Sequence, residues 1–279
     1  MTRPGELICG KFTLKLDRPL IMGIVNVTPD SFSDGGKFFS RDRAIEYGVK
    51  LIEDGADLLD IGGESTRPGS MPVNLDDELL RVIPVIEALR DKNIPLSIDT
   101  QKTAVMDAAI NAGASMINDV NALRAEGALD VAAGSGAGVC LMHMIGTPQT
   151  MQQLIDYNDV LAEVVAFLQM RARAAEQAGI AKDRIVLDPG FGFGKRTIHN
   201  LALLRGLENI AALGYPVLAG LSRKSIFGDI TGKPAAERIY ASIAAAVLAA
   251  QNGASIIRVH DVAATRDALA VLQAVQAKN

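Results

Sequence analysis

Asp54-Gly55-Ala56-Asp57-Leu58-Leu59-Asp60 recurs twice in outline, as Ala112-Gly113-Ala114-Ser115-Met116-Ile117-Asn118 and as Asn252-Gly253-Ala254-Ser255-Ile256-Ile257-Arg258. Each copy opens with a glycine placed where a helix would end in a left-handed cap residue. An apolar run follows, and the fifth residue after the glycine is polar: Asp60, Asn118, Arg258. A helix stop, a buried strand and a polar strand end, repeated, describe a βα unit whose chemistry sits at the carboxyl end of the strand.

Working outward from these copies, eight short runs rich in Val, Ile and Leu alternate with helix-period segments. The runs are Leu20–Val25, Leu58–Ile61, Leu96–Ile98, Met116–Ile117, Val139–Met142, Ile185–Leu187, Val217–Ala219 and Ser255–Val259. They do not alternate apolar with polar, as expected of parallel strands buried on both faces. The helical candidates cover about 41–54, 76–92, 102–112, 125–134, 157–179, 198–213, 234–252 and 262–277. Eight strands each followed by a helix predict an α/β fold, a single (β/α)8 TIM barrel, at 279/8 or about 35 residues per unit. A doubly wound open sheet is the alternative. Residues 6–18 read as an added N-terminal β-hairpin turning at Gly10-Lys11. The expectation is one domain over 1–279, with the hairpin at about 6–18 and the barrel at about 20–277.

Composition narrows the function. With 28 Lys and Arg against 32 Asp and Glu the net charge is −4, and hydrophobic residues make up 49%. That excludes a disordered chain and a nucleic-acid binder working through bulk positive charge. Cys9 and Cys140 are too few for a disulfide framework and show no zinc spacing, so they read as buried thiols. Met1–Glu6 lacks the apolar run of a signal peptide, and Ile239–Ala250 is too short and interrupted to span a membrane. A cytoplasmic protein without membrane contact is expected.

The strand ends carry an unusual density of polar groups. In barrel order they are Asn26 and Thr28-Pro29-Asp30; Asp60, Glu64, Thr66 and Arg67; Asp99; Asn118 and Asp119; His143; Asp188; Ser222, Arg223 and Lys224; Arg258 and His260. Charges packed this closely are costly unless paired with each other or with a ligand. A structural network could account for Asp60 or Asp119, but poorly for the whole ring. Asp99, Asn118 and Asp188 suit a flat heterocycle bearing several N–H donors. Arg67, Lys224, Arg258 and His260 suit a phosphate or pyrophosphate, and Arg258 could also stack on a flat ring. Asn26 offers an oxygen that could help place a Mg2+ on that anion.

Two polar loops, Thr28–Phe39 and Gly62–Asn74, are candidate lids, with a third at Gly146–Met151. Gly190-Phe191-Gly192-Phe193-Gly194-Lys195 looks like a phosphate loop, but Pro189 and Arg196 break the Walker pattern and Lys195 breaks the dinucleotide one. These glycines read instead as sites of close backbone approach around Asp188. His199, at a helix start, reads as a surface or capping residue.

Five segments then resemble the dihydropteroate synthases of the pterin-binding family. They are Met22-Gly23-Ile24-Val25-Asn26-Val27-Thr28-Pro29-Asp30-Ser31-Phe32-Ser33-Asp34-Gly35-Gly36, Asp60-Ile61-Gly62-Gly63-Glu64-Ser65-Thr66-Arg67-Pro68-Gly69, Asp188-Pro189-Gly190-Phe191-Gly192-Phe193-Gly194-Lys195, Ser222-Arg223-Lys224-Ser225 and Arg258-Val259-His260-Asp261-Val262. The likeness runs from about residue 20 to the end. It implies a (β/α)8 barrel, usually dimeric, and a transferase of folate biosynthesis. That enzyme joins 6-hydroxymethyl-7,8-dihydropterin diphosphate to 4-aminobenzoate and releases pyrophosphate. By matching position, it implies a pterin held by Asp99, Asn118, Asp188 and Lys224, with Arg258 on its face. The diphosphate would meet Asn26 with Mg2+, Thr66, Arg67, Arg258 and His260. Phe32, Thr66, Pro68, Phe193, Ser222 and Lys224 would line the aminobenzoate pocket. Asp99, Lys224, Arg258 and His260 are the expected catalytic set. Gln101-Lys102-Thr103 departs from the Ser-Lys-Pro of many relatives, which is read as neutral.

The implied mechanism is a dissociative substitution needing no covalent nucleophile, and sulfonamides, which mimic aminobenzoate, are expected inhibitors. Three alternatives stand beside it. One is a pterin-binding methyltransferase, which would not need Thr66–Gly69 or Ser222–Ser225. Another is a non-catalytic pterin-binding paralogue, which would lack the anion-site residues. The third is a Schiff-base aldolase using Lys224, disfavoured here because Ser222 and Arg223 flank a lysine that should be desolvated.

Overall fold

A computed structural model describes residues 5–27, 37–66 and 69–277. The chain opens with an antiparallel hairpin, β1 (Glu6–Cys9) and β2 (Phe12–Lys15). Eight strands follow: β3 (Leu20–Asn26), β4 (Leu58–Gly62), β5 (Leu96–Asp99), β6 (Met116–Asp119), β7 (Gly138–Met142), β8 (Ile185–Asp188), β9 (Leu218–Ala219) and β10 (Ile256–Val259). All their pairings are parallel, in the order β8-β7-β6-β5-β4-β3-β10-β9. A parallel bridge between Leu187 and Val217 brings β9 back to β8 and closes the barrel. The expected (β/α)8 architecture with its N-terminal hairpin is what the chain forms.

The helices cover the outside: α1 (Lys37–Glu53), α2 (Leu75–Leu89), α3 (Thr103–Ala112), α4 (Ala128–Ser135), α5 (Val160–Gln177), α6 (Thr197–Arg205), α7 (Leu207–Ala211), α8 (Ser225–Thr231), α9 (Ile239–Gln251) and α10 (Val262–Gln276). Local chemistry sets their ends. Asn74 caps α2 by accepting from Asp77 N, with Asp76, Asp77 and Glu78 in the positive first turn. Asp159 caps α5 by accepting from Leu161 N and Ala162 N, both at 3.0 Å. The three repeat glycines, Gly55, Gly113 and Gly253, have φ of 97°, 124° and 106°, conformations that only glycine adopts without strain.

Two expected helices are interrupted. The segment at 198–213 breaks at Gly206, where an added β-carbon would lie 2.5 Å from Leu161 Cδ2 on α5. The segment at 234–252 is a short 3-10 turn at Ala235–Glu237 and then α9, with α8 formed ahead of it.

Strand alternation decides what fills the barrel. Met22, Leu58, Met116, Cys140, Val186, Leu218 and Ile256 form an apolar floor, sealed from below by Leu7, Cys9 and Leu16 of the hairpin region. Two residues further along the same face the contents change, to Asp60, Asn118, Asp188 and Arg258. The intervening residues, among them Leu59, Ile61, Ile98, Ile117, Leu141, Leu187, Ile257 and Val259, pack outward against the helices. Cys9 and Cys140 are buried free thiols, and burial pushes Cys9 up to about 12. Among the described residues no helix is long and apolar enough to cross a membrane.

Candidate active site

Arg258 organises the upper half of the barrel. Its Nε donates to Asp60 Oδ2 at 2.6 Å and its Nη2 to Asp99 Oδ2 at 2.7 Å. Asn118 Nδ2 donates to the same Asp60 oxygen at 2.9 Å. Burial opposes the charge on Arg258, but Asp60 and Asp99 overcome that and hold its pKa above the ordinary value. The other oxygens are left over. Asp60 Oδ1, Asp99 Oδ1 and the Ser97 hydroxyl are buried with no hydrogen-bond partner among the described residues. Burial raises the Asp99 carboxyl to about 7, with Asp60 adding to the rise and Arg258 opposing it. Buried acceptors without donors are uncommon in folded proteins and mark a place prepared for something else.

Asp188 ends β8, and its Oδ1 accepts the Gly190 N–H at 2.7 Å. Burial raises its carboxyl, with Lys224 the chief opposing charge. Gly190 has φ of 68°, and a β-carbon there would sit 1.9 Å from the His143 carbonyl oxygen. The close approach expected of these glycines is therefore made to the loop after β7.

Lys195 is no phosphate ligand in waiting. It is buried, and its Nζ donates to the carbonyls of Gly190 and Phe193, each at 3.0 Å, and of His143 at 3.3 Å. It also reaches His143 Nδ1 at 2.9 Å. Burial lowers Lys195 to about 7, and burial with the Lys195 charge lowers His143 to about 3. His143, expected in the polar ring, is thus a neutral acceptor inside the wall, packed edge-on to Phe167.

Lys224, just past β9, stands near Asp188 at the neighbouring strand end. Its Nζ donates to the Phe191 carbonyl and stands 4.6 Å from the centroid of the Phe193 ring. Burial lowers it to about 8, although Asp188 acts to raise it. The half-buried lysine is partly desolvated, and Arg223 turns away to form a two-point ion pair with Asp261, at 2.5 and 3.0 Å. Flanking residues are therefore no argument against a Schiff base, and Arg223 leaves the polar ring. Ser222 Oγ accepts from the His260 N–H at 3.2 Å and lies 2.9 Å from His260 Nδ1, joining the rims of β9 and β10.

Several expected residues belong elsewhere or lie outside the described segments. Asp119 accepts the N–H groups of Asn121 and Leu123 at 2.7 Å each and shapes its own loop. Glu64 is engaged by Lys102. Thr66 is half-buried at the end of a described segment, and Asn26, half-buried, ends β3 beside Gly62. Phe32, Arg67 and Pro68, with Thr28–Asp30, lie outside the described residues. The structure brings Asp60, Asp99, Asn118 and Arg258 into one network, and Ser222 and His260 into another. Sequence reading missed Lys195 and Lys102 as organisers, because both act through partners distant along the chain.

Comparison with known proteins gives this arrangement its context. A model of the family described as pterin binding enzyme matches residues 22–260. A dihydropteroate synthase of Haemophilus influenzae is 50% identical over 270 residues, covering 96% of this chain and 98% of the relative. The structure of Xanthomonas albilineans dihydropteroate synthase with 4-aminobenzoic acid has a TM-score of 0.94 at 56% identity, covering 99% of each chain. That of Burkholderia cenocepacia dihydropteroate synthase with 7,8-dihydropteroate has a TM-score of 0.91 at 52% identity, covering 99% of this chain and 98% of the other.

Proposed function

The chain belongs to the pterin binding enzymes, and from that premise we propose that its rim joins 6-hydroxymethyl-7,8-dihydropterin diphosphate to 4-aminobenzoate. The products are 7,8-dihydropteroate and pyrophosphate, the activity of a dihydropteroate synthase and a step of folate biosynthesis. One observation carries the reading: Arg258 fixes Asp60 and Asp99 while each keeps a buried oxygen with no partner among the described residues. A pterin edge is rich in N–H donors and supplies what those oxygens lack. The relatives with aminobenzoate and dihydropteroate support the same substrates.

In this reading Asp99, Asn118 and Asp188 take the pterin edge, and Lys224 bonds the ring from the side of Phe193. The remaining Arg258 N–H groups and guanidinium face serve the ring and the diphosphate. Arg67, Thr66 and His260 complete the anion site. The C–O bond at the pterin methylene breaks, its electron pair leaving with pyrophosphate. Cations held in place before the reaction stabilise that growing charge. The aminobenzoate nitrogen then forms the C–N bond and loses a proton to solvent. Asp99, held by Arg258, steadies the cationic pterin between the two events. Phe32, Thr66, Pro68, Phe193, Ser222 and Lys224 shape the aminobenzoate pocket, Thr66 standing where it meets the anion site.

Mg2+ is part of the proposal. The donors fit an ion carried on the diphosphate rather than one caged by protein. Asn26 contributes a single neutral oxygen, and no group of three or more His, Cys, Asp or Glu converges among the described residues. When bound, the ion neutralises charge on the leaving group.

A homodimer and a cytoplasmic location also belong to this reading. The dimer is supported by Tyr240 and Leu248 of α9 and Val271 and Val275 of α10, large apolar side chains exposed on adjacent helices. Purified protein incubated with the pterin diphosphate, labelled 4-aminobenzoate and Mg2+ should yield labelled dihydropteroate, and sulfonamides should compete with aminobenzoate. Absence of labelled product under these conditions refutes the activity.

A further inference from the structure

Beside the proposed site, one half-buried ionic cluster, centred on the fully buried Glu78, ties together two stretches that the reaction needs in register. Gly63, just past β4, runs flush against α2. A β-carbon there would lie 2.7 Å from Val82 Cγ1 and 3.2 Å from Glu78 Cγ. Arg81 of α2 donates Nη1 to the Gly63 carbonyl at 2.8 Å. At the next residue Glu64 turns inward, its Oε2 accepting the Lys102 ammonium and its Oε1 the Val73 N–H at 3.4 Å. The same ammonium donates to Glu78 Oε2. Glu78, whose side chain is 0% exposed, uses its other oxygen to accept the Thr100 hydroxyl at 2.6 Å. Thr100 directly follows Asp99, and its N–H donates to the Asn118 carbonyl at 3.1 Å. Thr100 Oγ1 also accepts the Lys102 N–H at 3.2 Å.

Lys102 therefore stands between the segment leading to Thr66 and the segment carrying Asp99, with α2 as the common support. Burial opposes its charge, and the bonds to Glu64 and Glu78 overcome that opposition. Two carboxyl groups converge on one ammonium, so loss of Lys102 would strand both in a place with little water. A cluster made only for stability would not need to join these two particular segments.

We propose that Lys102, clamped by Glu64 and Glu78, is a positioning residue that sets Thr66 relative to Asp99, and so sets the aminobenzoate half of the site against the pterin half. The inference rests on the function proposed above for the roles of Thr66 and Asp99. It touches neither substrate itself. Small displacements of groups that orient reactants cost rate out of proportion to the distance moved.

Glu64→Leu separates the two halves, because it frees the Thr66 segment while leaving Lys102 and Glu78 as a balanced pair beside Thr100. The expected result is a KM for aminobenzoate raised on the order of tenfold. Binding of 6-hydroxymethyl-7,8-dihydropterin, which lacks the diphosphate, should stay within about twofold of the parent value. Lys102→Met should weaken both ligands, and Lys102→Arg should recover most of the loss, since a guanidinium can bridge two carboxylates. Equal weakening of both ligands by Glu64→Leu, or no change in either, overturns the proposal, as does Lys102→Arg behaving like Lys102→Met. If Lys102→Met does not fold, Glu64→Leu and Lys102→Arg still decide the matter. An inactive parent protein would strike at the proposed activity instead, so the two failures are distinct.

Discussion

The two ends of this barrel are built from the same strands and hold opposite contents. Below, Met22, Leu58, Met116, Cys140, Val186, Leu218 and Ile256 pack against the hairpin, with the buried Ser97 of β5 beside Met116. Above, two residues on, Asp60, Asn118 and Arg258 form a charged network with unsatisfied oxygens. The strands can support the second arrangement because the first supplies the burial. On the function proposed here, the lower layer serves stability, whereas the upper layer costs stability and serves binding.

Substitution of each end should separate these roles. Arg258→Ala removes the only partner of Asp99 Oδ2 found among the described residues and should lower kcat/KM by roughly 10²–10³. Near-normal steady-state turnover would show that the upper network does not serve the reaction. Leu7→Ala opens a cavity beneath the floor and should cost about 2–5 kcal/mol in urea unfolding, with kcat/KM per folded molecule nearly unchanged. A large loss of activity at full folding would break the division between the ends.

A subtler contrast lies within the upper half, between the buried Lys195 and the half-buried Lys224. Lys195→Met removes the ammonium shared by three carbonyls, of which Gly190's keeps the Phe193 N–H, and should cost about 1–3 kcal/mol of stability, read by thermal or urea unfolding. Lys224→Met removes a partly desolvated charge with one protein carbonyl partner, so pterin binding should fall while stability changes little. Calorimetry of both variants tests this, and equal stability losses would erase the contrast.

A separate effect is the pH dependence of stability. Burial lifts Asp99 from 3.8 to about 7 in the folded protein. Between those values the folded state holds a proton that the unfolded state has released. Stability from this group therefore falls as pH rises through that window. Unfolding free energies measured across it should slope downward, and Asp99→Asn should flatten the slope.

Much of the architecture was legible because it follows from local rules. The eight apolar runs were visible since parallel strands here are buried on both faces, and the repeat glycines announced the helix ends. Asp60, Asn118 and Arg258 could be placed because strand periodicity fixes which residue follows the floor. The rest depended on long-range pairing. Lys195 ends a glycine-rich run that imitates a phosphate loop, and only the fold reveals that His143, 52 residues earlier, occupies its ammonium. Lys102 meets acids 38 and 24 residues away, one of them in a helical turn that otherwise reads as solvent-facing. Arg223 counted among the polar groups of the strand ends until Asp261, 38 residues on, claimed it. The break at Gly206 came from the nearness of α5, which no window of local sequence contains.

The hairpin under the barrel has a consequence for traffic. Leu7, Cys9 and Leu16 stopper the lower end completely, each 5% exposed or less, so the vessel has one mouth. Whatever rests on Asn118 and Asp188 sits deeper than whatever meets Ser222 and His260 at the rim. On the function proposed here, a pterin must enter before aminobenzoate can cover it. Pyrophosphate must leave through the same opening, and the pterin end of the product is the last part to withdraw. The order of events would then follow from plumbing: a tube closed at one end can only be loaded and emptied as a stack.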